Sequence, residues 1–210
     1  QAVIIAQTAP SIALSTGSVT VEGSVQPLAS TSSANASSAN ASAANGEAWL
    51  LFADTQGIAA VMATQLRQQG ATPLLVYPGE RYRQVDAQTF VIDAQSAADY
   101  QQLLAACATV ANGPLRGLIH LWSTDVTELG QAPDLTAAAQ QSFGTALHLV
   151  QALLEQQLEP AGLWLVTRDA QAASVGDSVT GVIQSGLWGM GRTIALEHPE
   201  LRCVRIDLDG

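Results

Sequence analysis

From Glu47 onward, short apolar runs alternate with longer segments of helical period, the pattern of parallel strands joined by helical crossovers. Ala48 to Ala53 predicts a first strand, after which Ile58, Val61, Met62 and Leu66 recur at helical spacing until Gly70. Thr72 to Tyr77 predicts a second strand closed by Pro78-Gly79, and Thr89 to Ile92 a third. Ser96 and Asp99 have the spacing of a capping box. The helix they open carries Tyr100, Leu103, Leu104 and Cys107 on one face and ends at Asn112-Gly113-Pro114. Leu118 to Trp122 predicts a fully buried fourth strand. Asp134 then stands where it can cap a long helix that turns Phe143, Leu147, Val150 and Leu154 toward the sheet and stops at Pro160. Leu163 to Thr167 predicts a fifth strand, Val182 to Leu196 a helix, and Cys203 to Leu208 a sixth strand.

This order predicts an α/β, Rossmann-like fold: a mostly parallel sheet of about six strands with helices on both faces. A wind that stops at Gly210, at the edge of a strand, is expected to belong to a larger assembly. The subdomain is expected to span residues 47–210. Residues 31–46 repeat Ser, Ala and Asn with nothing large to bury and are expected to form a flexible linker. Residues 1–30 are expected to form an interdomain segment, in which Val19, Val21 and Val25 alternate with small polar residues over Ser18 to Val25 as in a marginal strand.

Composition narrows the chemistry. At 210 residues and 48% hydrophobic, the chain can bury a core, and a formal charge of −10 disfavours nucleic acid and anionic lipid. All eight basic residues are arginines. Without lysine the chain can complete neither a Walker phosphate loop nor a Schiff base, nor the Tyr-x-x-x-Lys pair of a short-chain dehydrogenase. Tyr77, Tyr82 and Tyr100 accordingly lack a lysine four residues on. Cys107 and Cys203 fall on different elements and read as small core residues rather than a metal knuckle or redox pair. No basic leader precedes Val3 to Ala6, and no apolar run approaches the roughly 20 residues a membrane span needs, so the cytoplasm is the expected compartment.

A dinucleotide-binding wind carries Gly-x-Gly-x-x-Gly after its first strand, because backbone amides must approach the pyrophosphate. Here the turn is Ala53-Asp54-Thr55-Gln56-Gly57, with one glycine and a carboxylate about where the diphosphate would lie. It reads as a degenerate cofactor turn, a helix N-terminus capped by Asp54 or Thr55. Arg81 and Arg83 follow the second strand, where an NADP enzyme keeps cations for a 2′-phosphate, but without the turn they read as a solvated loop. His120, His148 and His198 share no metal-ligand spacing. Ser123-Thr124-Asp125 falls at the tip of the fourth strand without partner residues for catalysis. No catalytic, cofactor-binding or metal-binding residue is therefore named.

The segment Gln184-Ser185-Gly186-Leu187-Trp188-Gly189-Met190-Gly191-Arg192-Thr193-Ile194-Ala195-Leu196-Glu197-His198-Pro199-Glu200-Leu201 closely resembles the last helix of the structural, non-catalytic subdomain of modular polyketide synthase ketoreductases. Upstream, Gly117 to Trp122 and Leu147 to Leu153 resemble other parts of the same subdomain. Ile183, Leu187, Met190 and Ile194 form one apolar face of that helix, while Gly186 and Gly189 permit close approach of another backbone. Each helical glycine costs roughly 1 kcal/mol relative to alanine, which tertiary packing must offset.

The resemblance implies a pseudo-Rossmann subdomain packed on a catalytic ketoreductase subdomain that carries the NADPH site and the Ser-Tyr-Lys machinery. It implies a β-ketoacyl reductase acting on an acyl chain tethered to an acyl carrier protein, with methyltransferase, dehydratase or enoylreductase domains as possible neighbours in the synthase. The aromatic-rich first strand usual in this subdomain is not recognisable before the linker. Two other readings stay open: a self-sufficient NAD(P)- or S-adenosylmethionine-binding Rossmann enzyme, and a docking module between synthase domains.

Overall fold

The computed structural model describes residues 47–111, 115–126, 134–172 and 176–209. The expected linker, the expected strand over Ser18 to Val25 and the Asn112-Gly113-Pro114 stop lie outside the described residues. Strand β1 (Ala48–Phe52), helix α1 (Ile58–Gln68) and strand β2 (Thr72–Gly79) come first. β2 runs through Pro78-Gly79 instead of closing there. β1 has already ended opposite Val76, so Pro78 has a strand on one side alone and its missing N–H interrupts no second ladder.

Strand β3 (Arg83–Gln84) pairs antiparallel with β4 (Thr89–Asp93) and raises the strand count to seven, where about six were expected. Two exposed polar residues carry no apolar period, so this edge strand left no trace in the pattern. Arg83 therefore sits in a strand rather than a loop, and both Arg81 and Arg83 are exposed. In α2 (Ala97–Ala111), Tyr100, Leu103, Leu104 and Cys107 are all fully buried. Asp99 N–H donates to Ser96 Oγ (3.3 Å), and Ser96 Oγ donates in turn to the Asp99 carboxylate (2.9 Å).

Strand β5 (Leu115–His120) ends before Trp122, which falls in a 3₁₀ turn over Trp122–Asp125. Asp134 caps α3 (Leu135–Ala139), accepting from the amides of Thr136 and Ala137. A π turn over Gln140–Gly144 follows, then α4 (Thr145–Glu155). The wider turn shifts the helical phase. Ala146, Leu149, Val150 and Leu153 become the inward set, while Leu147, expected to face the sheet, is 43% exposed. Strand β6 (Leu163–Arg168), helix α5 (Ser185–Glu197) and strand β7 (Cys203–Leu208) complete the chain.

The strands form one sheet in the order β3-β4-β2-β1-β5-β6-β7, parallel throughout except for β3. Burial splits into two cores, one on each face. Leu50, Phe52 and Leu165 meet the apolar faces of α2, α4 and α5 on one side, and Trp49, Leu51 and Trp164 meet α1 on the other. Trp49 and Trp164 lie 5.4 Å apart across Gly117, where a Cβ would come within 2.6 Å of either ring. Among the described residues no helix is long and apolar enough to cross a membrane.

Candidate functional site

In an open parallel sheet, ligands bind beyond the carboxyl ends of the strands where the winding reverses. Here that switch point lies between β1 and β5: the chain winds outward from β1 to β2 and β4, then returns to the opposite side of β1. Its rims are the turn after β1, Ala53 to Gly57, and the 3₁₀ turn after β5, Trp122–Asp125.

The first rim is occupied by its own acid. Asp54, 6% exposed, accepts from the amides of Gln56 (3.0 Å), Ile58 (3.0 Å) and Ala59 (2.8 Å). These are donors that a helix N-terminus offers to an anion. Gly57 at φ +96° supplies the left-handed turn that lets the chain fold back over this carboxylate. A pyrophosphate here would have to displace Asp54 and then face its charge.

The second rim is tied to the first. Asp125 accepts from Thr55 N (2.9 and 3.1 Å) and Thr55 Oγ1 (2.8 Å), and Gln56 Nε2 donates to Thr124 O (3.2 Å). Ser123, fully buried, donates to Val166 O, and Thr124 donates to Leu121 O (2.7 Å). The crevice is thus bridged by side chains of the protein itself. Asp54, Thr55 and Asp125 are each prominent in the sequence, but no local pattern joins Thr55 to an acid 70 positions away.

The other candidates scatter. Burial pushes the thiols of Cys107 and Cys203 up to about 12, so both stay protonated core residues. His120 is fully buried on β5, and desolvation pushes its pKa down to about 3. Its Nε2 lies 3.1 Å from Thr145 Oγ1. The His148 ring lies 5.9 Å from that of Tyr100, and His198 Nδ1 lies 3.1 Å from Glu200 Oε1. Desolvation raises the Tyr100 phenol far above its ordinary range, and the hydroxyl donates to Ala94 O. Among the described residues no group of three or more His, Cys, Asp or Glu side chains could hold a metal ion.

Helix α5 lies beyond β6. Leu187 and Ile194 are buried on the sheet, with Ile183 and Met190 half-buried beside them. Gly191 is the glycine that lets this helix approach the sheet, since a Cβ there would sit 2.8 Å from Arg205 and 3.3 Å from Leu165. Gly186 lies against Phe143, whereas Gly189 faces open space. Leu196 on this helix is 83% exposed, and Val182, in the turn before it, is 42% exposed. Two exposed apolar side chains and a helical glycine with nothing beside it are therefore features that packing within the described residues does not explain.

Residues 47–209 match the family described as beta-ketoacyl synthase-like, N-terminal. The polyketide synthase GfsB of Streptomyces halstedii is 32% identical over 163 residues, 76% of this chain but only 3% of that protein. The solved structure of a C2-type ketoreductase from a modular polyketide synthase is 27% identical, with a TM-score of 0.53 over 73% of this chain and 30% of the other. A short-chain dehydrogenase/reductase double mutant from Serratia marcescens shares the fold at 18% identity and a TM-score of 0.54, over 74% of this chain and 73% of the other. On its own sheet, helices and last-helix segment, and on these likenesses, the chain belongs to the beta-ketoacyl synthase-like, N-terminal family and is a polyketide synthase subdomain of the ketoreductase structural type.

Proposed function

We propose that this subdomain supports and orients the catalytic half of an NADPH-dependent β-ketoacyl reductase, binding no dinucleotide itself. The observation that carries this reading is the bridged switch point. Asp54 takes the amides of Gln56, Ile58 and Ala59, and Asp125 ties the facing rim to Thr55. The absence of lysine from the sequence removes the usual partner of a catalytic tyrosine. The partner half would hold NADPH and the proton relay and would meet the acyl chain on its carrier protein. Neighbouring synthase domains would flank the pair.

The outward side of α5 suits this role. Val182 and Leu196 offer apolar area, and Gly189 leaves room for a second backbone. The test is to produce the chain alone and together with the catalytic half of its own synthase. NADPH binding is followed by tryptophan fluorescence, and reduction of a carrier-bound β-ketoacyl substrate by loss of NADPH absorbance. The expected result is no saturable binding by the chain alone, and a gain in the partner's activity and melting temperature when the two are joined. Micromolar NADPH binding by the isolated chain would overturn the reading. Gly189→Ala should raise the chain's own stability by up to about 1 kcal/mol through helix propensity. The same substitution should weaken association with the catalytic half, read by titration calorimetry.

A further inference from the structure

Beneath the bridged crevice, three buried polar atoms have no hydrogen-bond partner among the protein's own atoms: His120 Nδ1, Trp122 Nε1 and Ser142 Oγ. Their residues are 0%, 3% and 0% exposed. A buried polar group left unpaired costs about 1–3 kcal/mol, so three together call for a partner.

The donor and acceptor roles follow from the neighbours. Thr145 Oγ1 has one proton, and it lies within bonding distance of two helical carbonyls, Gln141 O (2.9 Å) and Ser142 O (3.3 Å). With that proton on a carbonyl, it accepts from His120 Nε2 at 3.1 Å. In that arrangement the imidazole proton sits on Nε2, which leaves Nδ1 a bare acceptor. Trp122 Nε1 can only donate, and the Ser142 hydroxyl can do either. Trp122 lies on the 3₁₀ turn and Ser142 on the π turn, and these two turns pack against each other. The rings of His120 and Trp122 are 5.7 Å apart between centroids and meet edge to face at 65°. His120, Trp122 and Ser142 are thus neighbours on the end of β5 and the two irregular turns.

We propose that His120, Trp122 and Ser142 form an internal water site. In it a single water accepts from the Trp122 indole, donates to His120 Nδ1 and exchanges a hydrogen bond with the Ser142 hydroxyl. Three bonds of this kind are the ordinary complement of a buried water. The site links the end of β5 to the π turn where side-chain contacts alone leave both irregular turns unsatisfied.

The test uses the full chain labelled with ¹⁵N. The indole N–H of Trp122, assigned by its disappearance in Trp122→Phe, should show a nuclear Overhauser cross-peak to water with the sign of a long-lived bound molecule. The His120 Nδ1 resonance should show the upfield displacement of a hydrogen-bonded acceptor. An indole with cross-peaks to protein hydrogens alone, or a Nδ1 at the position of an unbonded imidazole nitrogen, would overturn the proposal.

Discussion

The crossover after β1 and the crossover after β6 are both organised by a buried carboxylate that gathers backbone amides, yet the two acids reach them in opposite ways. Asp54 binds amides two, four and five residues along the chain, so the turn carries its own cap. Asp207 belongs to β7 and accepts from Thr167 Oγ1, Ala170 N and Gln171 N, all 36 to 40 residues earlier. Around that second acid the loop is tied further. Gln184 Oε1 accepts from Arg168 N (2.9 Å), Gly181 N donates to Asp169 O (2.9 Å), and Trp188 Nε1 donates to Thr167 Oγ1 (2.8 Å). The first crossover is a local device that persists wherever its helix forms. The second exists only once β6, β7 and α5 have assembled.

The sharpest way to break this contrast is Asp207→Ala. It strands two buried amides and a hydroxyl and removes charge-assisted bonds, so it should lower the unfolding free energy by about 3 kcal/mol or more in a urea titration. A loss below about 1 kcal/mol would show the second crossover to be held mainly by its helix packing.

Acid tests the core beneath the first crossover, where His120 pairs with Phe52 across β5 and β1. Folding buries this imidazole neutral and lowers its pKa from 6.5 to about 3, so between those values the unfolded chain binds the proton more readily. Stability from this group is complete above pH 6.5 and should fall by about 1.4 kcal/mol for each pH unit below it, flattening near pH 3. His120→Gln should remove that part of the slope in denaturation curves measured from neutral to acid pH.

Asp54→Ala should have a smaller effect, about 1–2 kcal/mol, as expected for a lost helix cap, and Asp54→Asn only a few tenths, since asparagine caps as well. If Asp54→Ala destabilised as much as Asp207→Ala, the first crossover would be no more local than the second. Because the alanine also frees three amides at a helix N-terminus, inorganic phosphate should partly restore the lost stability, as a rise in melting temperature that the parent chain lacks.

Among the elements, those read most accurately from the sequence depend on near neighbours. The buried face of α2, the Asp134 cap and the bounds of β7 agree with expectation. β3 and the inward face of α4 do not, because two exposed polar residues carry no apolar period and the π turn shifts the phase of the helix that follows it. At the candidate site, the acid in the first turn was legible, while its closure by Asp125 was not. Gly186 and Gly189 were read as the close-approach glycines of α5. Gly186 does meet Phe143, but it is Gly191 that meets the sheet, and Gly189 meets nothing in the described residues.

The sequence by itself determined the α/β wind, the acid-filled first turn and the lack of a lysine for catalysis, because periodicity, capping and residue identity act within a few positions of the chain. Only the tertiary structure decided that the switch point is bridged, that the π turn rotates Leu147 outward and that Asp207 organises a loop nearly forty residues behind it. Those outcomes depend on which surfaces pack together, and a hydrogen bond between residues far apart in sequence forms only after burial has brought them within reach.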